Sequence, residues 1–239
     1  MDQHWQDLCS KSKDRFDLWS QIARSHAVRH CAEVGVWRGS FSAHILAEVP
    51  TIQSYHMIDP WRPLDSWNKP LNVNQDIFNE SMKIALNATQ FARSKVLVHR
   101  GTTTEVEPDM PGQSLDFIYI DGDHTLRGIT IDLIRMMRKL RPGGLLAGDD
   151  YHSNPWHHGV NYEPTLICPF ARYFAEAMDL PFVALPFHQF LIINVPEGFR
   201  FLNISGRHSP DQIVWPRRPF PPANVRKLVR RLRRYWPLS

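Results

Sequence analysis

The chain of 239 residues is poor in cysteine, with Cys9, Cys31 and Cys168 scattered and no CxxC pair. That argues against a disulfide scaffold or a cysteine-built zinc site and fits a reducing compartment. No apolar run reaches about 18 residues, so no membrane-spanning helix is expected. The opening MDQHWQDLCSKSKDRFDLW is polar and carries acids, unlike a secretory leader, and a cytoplasmic location is expected. Internal repeats are absent. Acids are absent from residues 212–239, which hold eight Arg and Lys. Removing those eight from the 28 basic residues leaves 20 against 24 acidic ones, so the net +4 becomes −4 for residues 1–211. The basic character belongs to a tail, and the high pI is no argument for nucleic-acid binding.

What is present is alternation. Hydrophobic residues make up 43% of the chain, enough for one α/β domain with a full core. Short apolar strands are expected at 30–36, 54–59, 95–101, 115–122 and 145–150, and helices at 40–49, 74–92, 125–140 and 165–180. Pro169 either kinks the last helix or marks its true start. FVALPF and QFLIINV follow, joined too tightly at His188 for a crossover, so they pair antiparallel. The expected fold is a doubly wound, Rossmann-like, seven-stranded sheet ending in an antiparallel hairpin. Residues 1–27 are expected as an N-terminal helical cap, 28–211 as the main domain and 212–239 as a Pro-rich linker and basic helix. Two long loops, 59–72 and 151–164, lie where ligands sit in such sheets, outside the carboxyl ends of the strands.

The first strand runs into EVGVWRGS, Glu33 to Ser40. Gly35 and Gly39 are four apart, and Trp37 fills the position where a GxGxxG fingerprint needs its second glycine. That glycine admits a pyrophosphate, so Trp37 argues against a dinucleotide. Asp59, twenty residues beyond Gly39, ends the second strand, where an acid can accept both hydroxyls of a ribose. Either feature alone has a plain reading, glycine in a steric turn or Asp before Pro60 in a β-turn. The ordered set, with the terminal hairpin, resembles the class I S-adenosylmethionine (SAM)-dependent methyltransferases over roughly residues 28–196. The resemblance implies SAM as cofactor. Glu33, Gly35, Trp37, Gly39 and Ser40 would line its methionine and ribose end, Asp59 would hold the ribose, Thr102 and Thr103 would lie near the adenine, and Asp121 would border the site.

The fourth and fifth strands end in acids, Asp121 and the pair Asp149–Asp150. On neighbouring strands these carboxylates converge and repel, and a divalent cation removes the conflict. Oxygen-only ligands favour Mg²⁺, with Mn²⁺ or Ca²⁺ as substitutes. Asp121-Gly122-Asp123 and Asp149-Asp150-Tyr151 also resemble the metal-dependent O-methyltransferases, and the macrocin- and aminocoumarin-type sugar enzymes more than the catechol and caffeoyl-CoA ones. By that resemblance Asp121, Asp149 and Asp150 are metal ligands and His124 is the base. His124 could equally cap the following helix, and His152 is a rival base. Asp123 could brace the strand tip, touch the cofactor or orient His124. His157 and His158 form a neighbouring pair without further spaced ligands, and the expectation is that they hold no metal. Trp5, Trp19, Trp61, Trp67, Tyr151 and Trp156 suit either stacking on a sugar or plain packing.

The expected function is Mg²⁺-dependent O-methylation of a sugar, oligosaccharide or polysaccharide-precursor hydroxyl. The alternatives are a phenol or catechol acceptor and a non-catalytic SAM-binding or docking module. In the tail, Val225, Leu228, Val229, Leu232 and Tyr235/Trp236 share a helix face opposite arginines. Such a helix suits peripheral contact with an anionic membrane or an acidic partner. Packing on its own domain or on a homodimer mate is the expected use.

Overall fold

The computed structural model describes residues 2–65 and 67–208. The expected basic helix at 212–239 lies outside the described residues. Helices α1 (Asp2–Lys11) and α2 (Arg15–Ser25) come first, followed by β1 (His30–Val34), α3 (Ser40–Glu48), β2 (Ser54–Asp59), α4 (Gln75–Ala88) and β3 (Val96–Arg100). The short α5 (Thr103–Val106), β4 (Leu115–Ile120), α6 (Leu126–Met137), β5 (Leu140–Gly148) and α7 (Ile167–Ala177) complete the wound part. Strands β6 (Phe182–Leu185), β7 (Gln189–Ile193) and β8 (Phe201–Asn203) close the chain's described part.

The strands form one sheet in the order β3-β2-β1-β4-β5-β7-β6-β8. β1 to β5 run parallel, and β7 pairs antiparallel with both β5 and β6, as the tight turn requires. Eight strands rather than seven are described. The additional β8 pairs parallel with β6 and takes the edge, so the hairpin is not terminal. Three residues, Phe201–Asn203, are too short a segment for alternation to announce them. β5 begins at Leu140, five residues before the expected strand, and α6 ends at Met137, short of the expected 140. Cys168 is non-helical inside α7, so the regular helix starts at Pro169.

Side-chain alternation distributes the core over both faces. Phe117, Tyr119, Leu145 and Ala147 pack with α2, α3 and α4 through Trp19, Ile22, Phe41, Ile45 and Ala85. Ile118, Ile120 and Leu146 pack with α6 and α7 through Ile129, Leu133, Ala171 and Phe174. All six residues of β4 are buried, which is why LDFIYI reads as an unbroken apolar run around one acid. That acid, Asp116, accepts from the Arg29 and His30 amides and pairs with Arg141. The N-terminal helices are part of the main core, because Leu18, Trp19 and Ile22 are fully buried in it. Removing a side chain as large as Trp19 would cost about 3–5 kcal/mol. Trp5, Trp61 and Tyr151 are likewise core residues, at 2% exposure or less, so none of these four rings offers a face to a ligand.

Candidate active site

The parallel register fixes where the strand tips meet. Ile120 pairs with Gly148 and the Asp149 amide donates to the Ile120 carbonyl, so Asp121 and Asp149 leave the sheet side by side. Gly35 follows β1 at the same rim, beside Asp121. A Cβ on Gly35 would overlap the Asp121 carbonyl oxygen, and its φ is +87°. Gly39, at φ +73°, caps α3 where a Cβ would come within 2.9 Å of Ala85 Cα in α4. Both glycines of the motif therefore serve close backbone approach. They shape a cavity of about 490 Å³ above the carboxyl ends of β1, β2, β4 and β5.

One end of the cavity is bordered by Glu33, Gly35, Trp37, Ser40, Asp59, Thr102 and Thr103. Glu33 is 2% exposed and accepts from Ser42 and, at 2.7 Å, from the Tyr55 hydroxyl. Burial pushes its carboxyl up to about 8 against those two donors. The Asp59 carboxylate accepts three backbone amides, from Val36 and Trp37 at 2.9 Å and from Trp61 at 2.7 Å. It thereby holds the glycine turn, including Trp37 at φ 52°. Burial raises its pKa, and the three donors oppose the rise. Thr102 starts α5 as half of a capping box with Glu105. Thr103 is buried beside Asp132 of α6, whose carboxyl burial pushes up to about 7. Asp132 also borders the cavity and was not anticipated from the sequence.

The other end is a cluster of acids and imidazoles. His124, 8% exposed, lies between two carboxylates: its Nδ1 is 2.6 Å from Asp150 Oδ2 and its Nε2 is 3.3 Å from Asp121 Oδ1. Burial alone would lower its pKa, but Asp121 and Asp150 carry it up to about 10. His157 Nε2 and His158 Nε2 approach the same Asp150 oxygen at 3.3 and 3.1 Å. Burial would raise the Asp150 carboxyl, and the three imidazoles instead hold it well below the usual carboxylate range. Asp123 accepts from the Thr125 amide at 3.0 Å, and Thr125 in turn caps α6. Asp123 thus shapes the turn, and Thr125, not His124, is the cap.

Asp121 and Asp149 share a different partner. Arg15, the first residue of α2, pairs with Asp149 and lies 3.4 Å from Asp121. The Asp149 carboxylate also accepts from its neighbour's amide, at 2.8 Å, and from Gln189 Nε2, at 2.5 Å. Asp121, Asp149 and Asp150, the magnesium ligands expected from the sequence, all border this cavity, each beside a positive or imidazole partner. A guanidinium neutralises two of the acids and imidazoles crowd the third.

The histidine pair set aside at the sequence level is thus brought into the cluster. His152, the rival base, is not: its Nδ1 accepts from the Asn154 amide, and its ring stacks on His157 and His188. Arg15, Lys69, Gln189 and Asp132 are the site residues the sequence reading missed. Lys69 joins the two long loops, its Nζ donating to the Glu163 carbonyl at 2.8 Å and to Thr165 Oγ1 at 2.9 Å. Lysine at 5% exposure in a Pro- and Trp-rich loop carries no periodic signal.

Residues 32–151 match the family model described as a methyltransferase domain. No curated protein matches the chain. Among similar solved structures is an O-methyltransferase from Bacillus cereus in complex with SAH, at 14% identity over 81% of this chain and 80% of that one, with a TM-score of 0.53. Another is a methyltransferase from Geobacter sulfurreducens, at 15% identity over 77% and 80%, with a TM-score of 0.52. The O-methyltransferase TomG from Streptomyces achromogenes, involved in tomaymycin synthesis and solved in complex with SAM, is similar at 19% identity over 57% of this chain, with a TM-score of 0.44. This chain spans 55% of TomG's length. At these identities the structural likenesses speak to the fold.

Proposed function

The chain belongs to the methyltransferase-domain family, and on that premise we propose that it is a SAM-dependent O-methyltransferase acting on a sugar hydroxyl. The observation that carries the reading is one cavity with two chemically different ends. The end bordered by Glu33, Trp37, Asp59 and Thr103 would take the cofactor, with Glu33 beside its ammonium group and Asp59 at its ribose. Buried acids there suit a ligand that brings a positive charge and hydroxyls and no phosphate. The acid–imidazole end would take the acceptor.

The reaction is an in-line displacement. The hydroxyl oxygen attacks the methyl carbon of the sulfonium, the carbon–sulfur bond breaks, and S-adenosylhomocysteine leaves with the electron pair. The hydroxyl proton passes to the Asp121–His124 pair. The chain's main contribution is to hold donor and acceptor in line within one cavity. Lys69 keeps the two loops together over that cavity through Glu163 and Thr165.

Arg15, Lys69, Asp123 and His158 border the cavity beside Leu64, Trp67, Pro70 and Leu71, and these polar groups among apolar ones support a hydroxyl-bearing acceptor such as a sugar. Calorimetry with SAM, SAH and NAD tests the cofactor, and a panel of saccharides against catechols, read by mass spectrometry, tests the acceptor. SAM and SAH binding with methylated saccharide is expected. Binding of NAD alone, or of neither, would sink the enzyme assignment, and methylation confined to catechols would move it to the phenol class.

A further inference from the structure

We infer that His124, Asp150 and His158 form a binding site for a transition-metal dication of the zinc class, with His157 as a flanking donor. Its place in catalysis rests on the methyl-transfer reading, but its existence does not. One ligand atom from each of the three residues lies within 4.8 Å of the other two. Three imidazole nitrogens point at a single oxygen, Asp150 Oδ2, at 2.6, 3.1 and 3.3 Å.

The far sides of the rings specify which nitrogens are free. His157 Nδ1 is 3.0 Å from the Asn154 carbonyl, which can only accept, so it carries the proton and leaves Nε2 a lone pair. His158 Nδ1 is 3.3 Å from Thr165 Oγ1, a hydroxyl that can accept from it and so leave Nε2 to a ligand. Three ring nitrogens converge on one carboxylate oxygen, and a dication bound there takes the place of the protons between them. His157 Nε2 is buried with no hydrogen-bond partner, and so is His124 Nε2, which lies near Asp121 without a hydrogen bond's geometry. Asp121 Oδ1 stands 3.3 Å behind His124 Nε2, a negative charge on the far side of a liganding imidazole that raises its basicity. The backbone carbonyl behind His157 and the hydroxyl behind His158 serve the same purpose.

Donor type decides the ion. Magnesium asks for oxygen and keeps its waters, whereas two or three imidazoles with one carboxylate suit zinc, cobalt, nickel or ferrous iron. Three protein ligands leave a position open, and His124, Asp150 and His158 all border the cavity. A bound dication supplies Lewis acidity to an oxygen placed there. The sequence hid this site because its ligands come from the β4 tip, the β5 tip and the middle of a long loop.

The test uses Co²⁺ as an optical probe on the full chain, with metal counted by elemental analysis after dialysis. One Co²⁺ per chain is expected, with visible d–d bands. Equimolar Zn²⁺ should displace it, and a roughly hundredfold excess of Mg²⁺ should not. His158→Gln and Asp150→Asn should each weaken Co²⁺ binding by about tenfold or more, while His99→Gln, on β3, should not. Displacement by Mg²⁺, no bound Co²⁺, or unchanged binding in His158→Gln would overturn the inference. Wild-type displacement decides even where a variant fails to fold. SAH calorimetry on the metal-free chain keeps the two proposals apart. SAH binding without a cobalt site defeats only the metal, and a cobalt site without SAH binding defeats only the methyltransferase reading.

Discussion

Trp19 donates its indole N–H to Gln189 Oε1 at 2.7 Å, and through that bond helix α2 is tied to the strand-tip acid Asp149. The Tyr119 hydroxyl donates to the same oxygen at 2.9 Å, and Gln189 is fully buried. One amide thus satisfies an indole, a phenol and a carboxylate at the junction of β4, β5 and β7. Gln189→Leu leaves the Trp19 indole N–H and the Tyr119 hydroxyl without that acceptor, at about 1–3 kcal/mol for each. The urea midpoint should fall with an unchanged slope, and a midpoint like that of wild type would show that the network contributes nothing to stability.

Arg15 is the counter-charge of Asp121 and Asp149. Arg15→Ala leaves two adjacent carboxylates without a cation, a pair that should then recruit one from solution. Millimolar Mg²⁺ should raise the melting temperature of the variant more than that of wild type, because a ligand bound only by the folded state stabilises it. Equal shifts in the two proteins would mean that Arg15 does not guard these acids.

Gly35 and Gly143 both have positive φ, at +87° and +77°, but differ in space. A Cβ on Gly143 meets nothing within 4 Å, whereas one on Gly35 overlaps the Asp121 carbonyl and lies 2.6 Å from Gly122 Cα. Gly143→Ala should cost only the backbone term, about 1–3 kcal/mol. Gly35→Ala should cost clearly more and abolish SAH binding. Thermal melts of the two variants, with and without SAH, give the comparison, and a Gly35→Ala protein no less stable than Gly143→Ala would contradict the packing account.

Burial pushes the Glu33 carboxyl up to about 8, which favours its protonated form near neutral pH. A cationic ligand settling beside it would release that proton. Near neutral pH, the calorimetric heat of SAM binding should therefore vary with the ionisation heat of the buffer. In Glu33→Gln that dependence should vanish. A buffer-independent heat in wild type would place the ligand's ammonium elsewhere.

Burial and the stacked neighbour His99 hold His56 down at about 4, below its ordinary 6.5. The unfolded chain binds the proton first, so this contribution to stability is complete above about pH 6.5 and is lost as pH falls toward 4. His56→Gln should flatten the acid limb of a plot of urea midpoint against pH. Identical acid limbs would remove His56 from the account.

Much of this molecule was legible in its sequence, because strand alternation, turn glycines and crossover connections are local or topological signals. LDFIYI declared a buried strand, and the short connection at His188 dictated an antiparallel pair. Given parallel β4 and β5, Asp121 and Asp149 had to emerge together. The β8 edge was not legible, because three residues carry no period.

The sequence by itself determined that acids would gather at one rim of a wound sheet, beside a glycine turn. Only the tertiary structure decided what neutralises them. Arg15 reaches Asp121 from 106 residues away, Gln189 from 40 residues away grips Asp149, and a loop histidine pair closes on Asp150. Charge pairing over such separations is fixed by how helices and loops pack, and a packed partner leaves no repeat or spacing in the chain to be read beforehand.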